Sequence, residues 1–349
     1  MARLTGLWLM FCSLFFGIGS VAAQPSGPAQ ARSCPSVITA CGCVITSAGT
    51  YTVGNDLNAD QSSKPNCIEI AAPYSILNLK GFSVIGNGYY GTSIGILIRK
   101  GADHVVVEGG DEGTSTPAND AGMNGQYFPG TQSVVTQWNI AIEDDGDDAA
   151  IELFKDLGGN IFQQHDGNAT AGIFFNGVKR SLAANFLASY NGQAGVIVKN
   201  SSGIHVSNLS TIGNHESGIW LDSSDDSTIA TATAAGNGKY GIWLYDSSQN
   251  RIVDCNGTSG NGDTGILLGC GNQKCTGNIR SNNNRITNSG GPGNQMAGIV
   301  IEKHSNDNIV TITHNDGNPE NHDMVDLNPH CGTNIWYNNT GLGNQNCIH

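Results

Sequence analysis

The sequence predicts an all-β parallel solenoid, in which short strands wind into stacked coils. Three observations support this fold class. The chain carries a repeat of about 23 residues, each repeat opens with alternating apolar and polar residues, and no long segment shows the 3.6-residue apolar period of a helix. Its 349 residues include 48 glycines and 38 asparagines, a composition typical of a chain with many tight turns.

The repeat is set by glycines at nearly constant spacing. Successive repeats are 23, 23, 23 and 24 residues long, and they start at Gly172, Gly195, Gly218, Gly241 and Gly265. An asparagine recurs near the end of each repeat, at Asn191, Asn214, Asn237 and Asn261. Because equivalent residues of a solenoid lie above one another, we expect these asparagines to form a side-chain amide ladder.

Alternation at the start of each repeat predicts a strand with one buried face. The expected inward pairs are Ile173/Phe175, Val196/Val198, Ile219/Leu221, Ile242/Leu244, Ile266/Leu268 and Ile299/Ile301. Three short strands and three turns use about 23 residues, and coils stacked about 4.8 Å apart pair each strand with its copy. The sequence therefore predicts about nine coils.

The motifs of the repeat resemble those of a known group. The G-I-x-L start, the S-x-x-x-x-I centre and the G-N end are similar to the right-handed parallel β-helix repeats of the pectin-lyase-like superfamily, over residues 66–323. The resemblance implies a single right-handed coil. Residues 24–65 and 324–349 are then expected to form its two caps. Members of this superfamily include lyases, hydrolases, epimerases and non-catalytic binders, so the resemblance leaves the activity open.

The amino terminus predicts export. Arg3 precedes an apolar stretch at residues 6–19, and Val21, Ala22 and Ala23 are typical of a cleavage site, so residues 1–23 are interpreted as a signal peptide. A membrane anchor is the weaker interpretation, because the stretch is shorter than the roughly 20 residues that span a bilayer. We expect a secreted protein, extracellular or periplasmic, that is monomeric and not bound to a membrane.

Nine cysteines remain after residue 23 and fit an oxidising compartment. Local disulfides are expected for Cys270 with Cys275 and for Cys331 with Cys347, and two more among Cys34, Cys41, Cys43 and Cys67. Cys255 occupies the inward column of Phe186, Leu209 and Ala232, which predicts a buried free thiol. The amino-terminal and carboxy-terminal disulfides would tie the two caps.

The net charge of −13 makes nucleic acid an unlikely partner, because it repels phosphate backbones. Extracellular polysaccharide is the expected partner, either neutral, or acidic with Ca²⁺ as a bridging ion.

Outward aromatic residues on the first strand of each repeat form the candidate substrate-binding site. They are Phe174, Trp220, Trp243 and Tyr245. Aromatic rings on neighbouring coils form a platform on which the C–H faces of sugar rings can stack. The alternative is that a loop or the chain end covers these residues.

Candidate catalytic residues lie beside this platform. Glu143 and Asp222 are the carboxylates whose column faces the aromatic residues, and Lys199 lies between them. Lys199 is equally consistent with charge balance. The acidic run Asp144, Asp145, Asp147 and Asp148 offers hard oxygen ligands for Ca²⁺, or is a solvated turn.

The leading functional hypothesis is therefore an enzyme that acts on polysaccharide along the first sheet, of lyase or glycoside hydrolase type. The alternative is a non-catalytic carbohydrate-binding or cell-surface structural solenoid, since no diagnostic catalytic motif is present. A third hypothesis is metal binding at the histidine-rich end, by residues among His304, His314, His322, His330 and His349.

Overall fold

Two long parallel β-sheets dominate the computed structural model of the protein. The structure describes residues 32–58, 66–80, 82, 84–85, 94–102, 104–108, 135–136, 140–142, 150–152, 171–189, 191–271, 279–315, 317–318 and 323–348. Each of the two sheets contains twelve described strands, ordered along the chain so that every strand pairs with its counterpart from the next coil. The predicted all-β parallel solenoid is confirmed.

Sheet A contains the strands that open each repeat. Nine of its twelve strands lie within residues 66–323, where about nine coils were predicted. Its strands are Arg32–Ser33, Cys43–Ile45, Asn66–Ile70, Ile94–Ile98, Ile140–Ile142, Ala171–Asn176, Ala194–Lys199, Ser217–Asp222, Tyr240–Tyr245, Thr264–Leu268, Ala297–Ile301 and Met324–Asp326.

Sheet B contains the second strand of each coil. Its strands are Val37–Ile38, Gly49–Val53, Ser75–Asn78, Val106–Glu108, Ala150–Glu152, Leu182–Leu187, His205–Ile212, Thr228–Ala235, Arg251–Val253, Arg285–Thr287, Ile309–Thr311 and Ile335–Tyr337. A small third sheet, sheet C, contains Leu57–Asn58, Val84–Ile85 and Val135–Thr136. The one helical element among the described residues is a 3-10 turn at Pro329–Cys331.

The repeat sets the register of sheet A. Ile173 pairs with Val196, Val196 with Ile219, and Ile219 with Ile242, so residues 23 positions apart lie side by side. The expected inward residues are fully buried and form one continuous apolar core between the sheets. The alternation in the sequence therefore identified the core face correctly.

The predicted asparagine ladder is present and longer than expected. The backbone and side-chain N–H groups of Asn214 both donate to Oδ1 of Asn237, at 3.0 and 2.9 Å, and Asn237 bonds Asn261 in the same way. The ladder continues through Asn294 to Asn318. A second ladder, which was not predicted, contains Asn250, Asn284, Asn308 and Asn334. These bonds satisfy backbone groups that the turns would otherwise bury unpaired.

Disulfides lie near both ends of the coil. Cys34 bonds Cys43, Cys41 bonds Cys67, and Cys331 bonds Cys347. Cys270 is also disulfide-bonded, and Cys275, its expected partner, lies outside the described residues. The disulfides that tie the two ends are confirmed, and such bonds are typical of proteins of oxidising compartments.

Cys255 is a free, buried cysteine, as predicted. Its side chain is fully buried among core residues, and this burial raises the pKa of the thiol to about 11. The thiol is therefore a core residue with little thiolate at neutral pH.

No helix in the described part of the chain is long and apolar enough to cross a membrane.

Candidate functional site

The outer face of sheet A carries the predicted aromatic column. Strand pairing places the outward residues side by side in the order Phe174, Ile197, Trp220, Trp243, Leu267 and Val300. The neighbouring outward column contains Asn176, Lys199, Asp222 and Tyr245. The strands therefore hold an apolar row next to a polar row, both parallel to the coil axis.

Trp220 and Trp243 stack on each other at the centre of this face. Their ring centroids are 4.8 Å apart and their planes differ by 12°. Trp220 is partly exposed, whereas Trp243 is only 3% exposed. Tyr245 meets the Trp243 ring edge-on at 5.7 Å. Two alternatives were predicted for the outward aromatic residues, an open platform or coverage by a loop. Trp220 fits the open platform, and Trp243 is covered.

Residues 269–271, the covering segment, lie against Trp243 and its neighbour Tyr240. The Trp243 indole Nε1 donates a hydrogen bond to the carbonyl oxygen of Gly269 at 2.9 Å. Gly271 has φ +62°, and a Cβ placed on it would lie 2.6 Å from the hydroxyl of Tyr240. Tyr240 in turn packs against Trp243, with centroids 5.1 Å apart. Only glycine fits this close approach in a left-handed backbone conformation.

Glu302 fixes the covering segment to sheet A. Its Oε2 accepts the backbone N–H groups of Cys270 and Gly271, at 2.7 and 3.1 Å. Burial raises the pKa of the Glu302 carboxyl, and the charge of Asp263 adds to the rise, while the two N–H donors oppose it. The segment is therefore held by a partly buried carboxyl group as well as by packing on Trp243.

Asp222 and Lys199 form an ion pair beside the open half of the platform. Lys199 Nζ lies 2.9 Å from Asp222 Oδ2, and the two side chains are 45% and 12% exposed. Asp222 Oδ1 also accepts the hydroxyl of Ser223 at 3.1 Å. The arrangement offers a cationic donor and a carboxylate acceptor on adjacent coils, next to Ile197 and Trp220.

The remaining predicted site residues lie outside the described residues. These are Glu143 and the acidic run Asp144, Asp145, Asp147 and Asp148, so the proposed carboxylate pair and the Ca²⁺ site stay predictions. Within the described part of the chain, no group of three or more His, Cys, Asp or Glu side chains is arranged to hold a metal ion.

The covering segment and Glu302 were missed as site residues in the sequence. The available signal was the repeat starting at Gly265, which runs 33 residues to Gly298 instead of 23 or 24 and contains Cys270 and Cys275. Extra residues inserted after a sheet A strand emerge on the outer side of the coil, where they can fold over the aromatic column.

Residues 159–347, more than half of the chain, match the family model described as a right handed beta helix region. The chain therefore belongs to this family of right-handed β-helix proteins. No curated protein matches the sequence.

Several solved β-helix structures are similar to the chain. The Dettilon tailspike protein gp208 has a TM-score of 0.43 and 15% identity over 84% of this chain, which spans 60% of that protein. The tailspike protein 2 active domain of bacteriophage CBA120 has a TM-score of 0.42 and 14% identity over 79% of this chain, which spans 42% of that domain. A DFA-IIIase from Arthrobacter chlorophenolicus has a TM-score of 0.37 and 14% identity, and the match covers 88% of this chain and 77% of the enzyme. Because every TM-score is below 0.5, the site is interpreted from its own residues.

Proposed function

We propose that this protein binds a polysaccharide along the outer face of sheet A, with Trp220 as the stacking residue. The observation that carries the proposal is the Trp220 ring, which is partly exposed and is held flat by its stack on Trp243. A fixed, exposed aromatic ring binds the apolar face of a sugar with little loss of side-chain entropy.

The polar row beside Trp220 complements this contact. Lys199 can donate to sugar hydroxyl oxygens, and Asp222 can accept from sugar hydroxyl groups. The two charges compensate each other, so this surface suits a neutral polysaccharide better than an acidic one. Phe174, two coils away and partly exposed, extends the apolar row along the axis.

The test is binding to neutral and acidic polysaccharides, measured by calorimetry and by retardation in polymer-containing native gels. For the neutral polymer bound by the wild type, Trp220→Ala is expected to weaken the affinity by at least about tenfold. The matched control is Tyr74→Ala, since Tyr74 is an aromatic residue that is 64% exposed and lies outside sheet A. Equal binding by wild type and Trp220→Ala would refute the proposal.

Lyase or hydrolase chemistry at this face stays a prediction. A hydrolase needs a second carboxyl group about 5–10 Å from the first, and Glu143, the predicted partner of Asp222, lies outside the described residues. Incubation with the same polymers, with and without Ca²⁺, distinguishes the cases. New reducing ends or unsaturated uronates that disappear in Glu143→Gln or Asp222→Asn would identify an enzyme, and binding without products would identify a binding module.

We further propose that the protein is secreted as a monomer after removal of residues 1–23. The apolar stretch of that segment and the disulfides at both ends of the coil support export. The amino-terminal sequence and the mass of the exported protein test both statements.

A further inference from the structure

The outer face of sheet B carries two adjacent arginines that the proposed function does not use. Pairing places Arg251 directly beside Arg285, with Thr228 and then His205 on the preceding coils. Both arginine side chains are exposed. Neighbouring strands lie about 4.8 Å apart, so the two arginine side chains extend from adjacent backbone positions on the same face.

Two like charges side by side on a sheet destabilise it unless a counter-charge is present. Within the described residues, neither arginine forms an ion pair, although the chain has 29 acidic side chains. In the part of the chain that the structure describes, the one side-chain hydrogen bond of the pair runs from Arg285 Nε to Thr287 Oγ1, at 3.3 Å. Asp254, near the end of the Arg251 strand, accepts a hydrogen bond from Asn288 Nδ2 at 2.7 Å.

The residues beside the pair have short side chains. The adjacent outward column contains Ser207, Ala230, Val253 and Thr287, all small and partly exposed. Such side chains leave the guanidinium groups open to a ligand lying along the coil axis. The planar fork of arginine matches the two oxygens of a carboxylate or a sulfate.

We propose that Arg251 and Arg285 bind the anionic groups of an acidic polysaccharide that lies along the outer face of sheet B. The ligand chemistry is a carboxylate or sulfate carried on successive sugars, and it neutralises the paired charges. A polymer fits better than a single small anion, because sheet B continues on both sides of the pair, through Thr228 and through Ile309. This site is separate from the Trp220 surface on sheet A, and it binds an anionic polysaccharide where that surface binds a neutral one.

The test uses retardation in native gels that contain polygalacturonate, dextran sulfate or uncharged dextran. EDTA is present throughout, so that Ca²⁺ bridging by acidic residues cannot contribute. The Arg251→Gln/Arg285→Gln double variant is compared with Arg280→Gln, because Arg280 is exposed and lies outside the sheet B strands. Thermal unfolding verifies that each variant is folded.

At low ionic strength, the wild type is expected to be retarded by polygalacturonate, by dextran sulfate or by both. The double variant should lose at least about tenfold in affinity for the polymer that the wild type binds. Binding by the wild type should weaken as salt is added. Arg280→Gln should bind as the wild type does. The polymer that binds identifies carboxylate or sulfate as the preferred group.

Three outcomes would overturn the proposal: no retardation of the wild type by either acidic polymer, equal loss in Arg280→Gln, or tighter binding to a DNA duplex than to both glycans. Failure of the Trp220 proposal would appear separately, as no binding of neutral polymer by the wild type or as equal binding by wild type and Trp220→Ala, with the sheet B interaction intact.

Discussion

The two halves of the outer face of sheet A are built from the same repeat but have different surroundings. Phe174 and Trp220, the two aromatic residues of the first half, are partly exposed, and the smaller Ile197 between them is 4% exposed. In the second half, Trp243, Leu267 and Val300 are all 3–8% exposed. Trp220 and Trp243 occupy equivalent positions on adjacent coils and stack on each other. The repeat therefore determines which way a side chain points, and for the two tryptophans a contact that does not repeat, from Gly269, accompanies the difference in exposure.

The indole N–H groups show the same contrast. Trp243 Nε1 donates to the carbonyl oxygen of Gly269, while the buried Nε1 of Trp220 has no hydrogen-bond partner among the described residues. The covered tryptophan is thus integrated into the fold by packing and by hydrogen bonding. The open tryptophan has a partly exposed ring that is available for binding.

Alanine substitution of the covered tryptophan should produce the largest loss of stability. Trp243→Ala removes a buried ring from beneath the covering segment and should lower the free energy of unfolding by about 3–5 kcal/mol. Trp220→Ala, at the equivalent open position, should cost about 1–2 kcal/mol. Guanidinium denaturation with the disulfides intact measures both values.

Trp243→Phe is the control for this pair, because it keeps most of the ring packing and loses only the hydrogen bond to Gly269. Its cost should be smaller than that of Trp243→Ala. Equal costs for Trp243→Ala and Trp220→Ala would mean that the two halves of the face do not differ in coverage.

A smaller effect is expected at Glu302, which holds the covering segment. Burial raises the pKa of this carboxyl above its usual 4.5, so the fold favours its protonated form. The stabilising contribution of protonation is therefore complete below the unfolded pKa and is lost as the pH rises through the raised pKa of the folded state. Glu302→Gln cannot ionise and lacks this dependence.

The measurement is the difference in unfolding free energy between wild type and Glu302→Gln at several pH values from acidic to neutral. The difference should move in favour of the variant as the pH rises. A pH-independent difference would contradict the role assigned to Glu302 burial.

The sequence predicted the fold because the fold repeats. A constant spacing of glycines and asparagines, together with inward residues such as Ile219 and Leu221, appears in every coil of the central repeats and identifies strands, core and ladder. Cys255 was placed in the core by the same register.

The candidate site was predicted only in part, because its decisive features do not repeat. The direction of Trp243 follows from the alternation, but the bond to Gly269 and the anchoring of the covering segment by Glu302 come from residues outside its own repeat. The Lys199–Asp222 ion pair follows from the register, since pairing places these residues side by side. The pairing of Arg251 with Arg285 also follows from the register, provided that the longer repeat between them is aligned correctly.

The central claim, that the open half of sheet A binds polysaccharide through Trp220, is tested most directly by nuclear magnetic resonance of the tryptophan indoles. The chain has only five tryptophans, so the indole ¹⁵N–¹H spectrum is sparse and Trp→Phe variants can assign it. During titration with oligosaccharides of xylan, mannan and glucan, the Trp220 signal should shift most. Trp243 should shift less, through its stack on Trp220, and Trp336, which is buried and bonded to Asp326, should stay unchanged. Binding that shifts other tryptophans and leaves Trp220 unmoved, or no shift with any of these sugars, would contradict the claim.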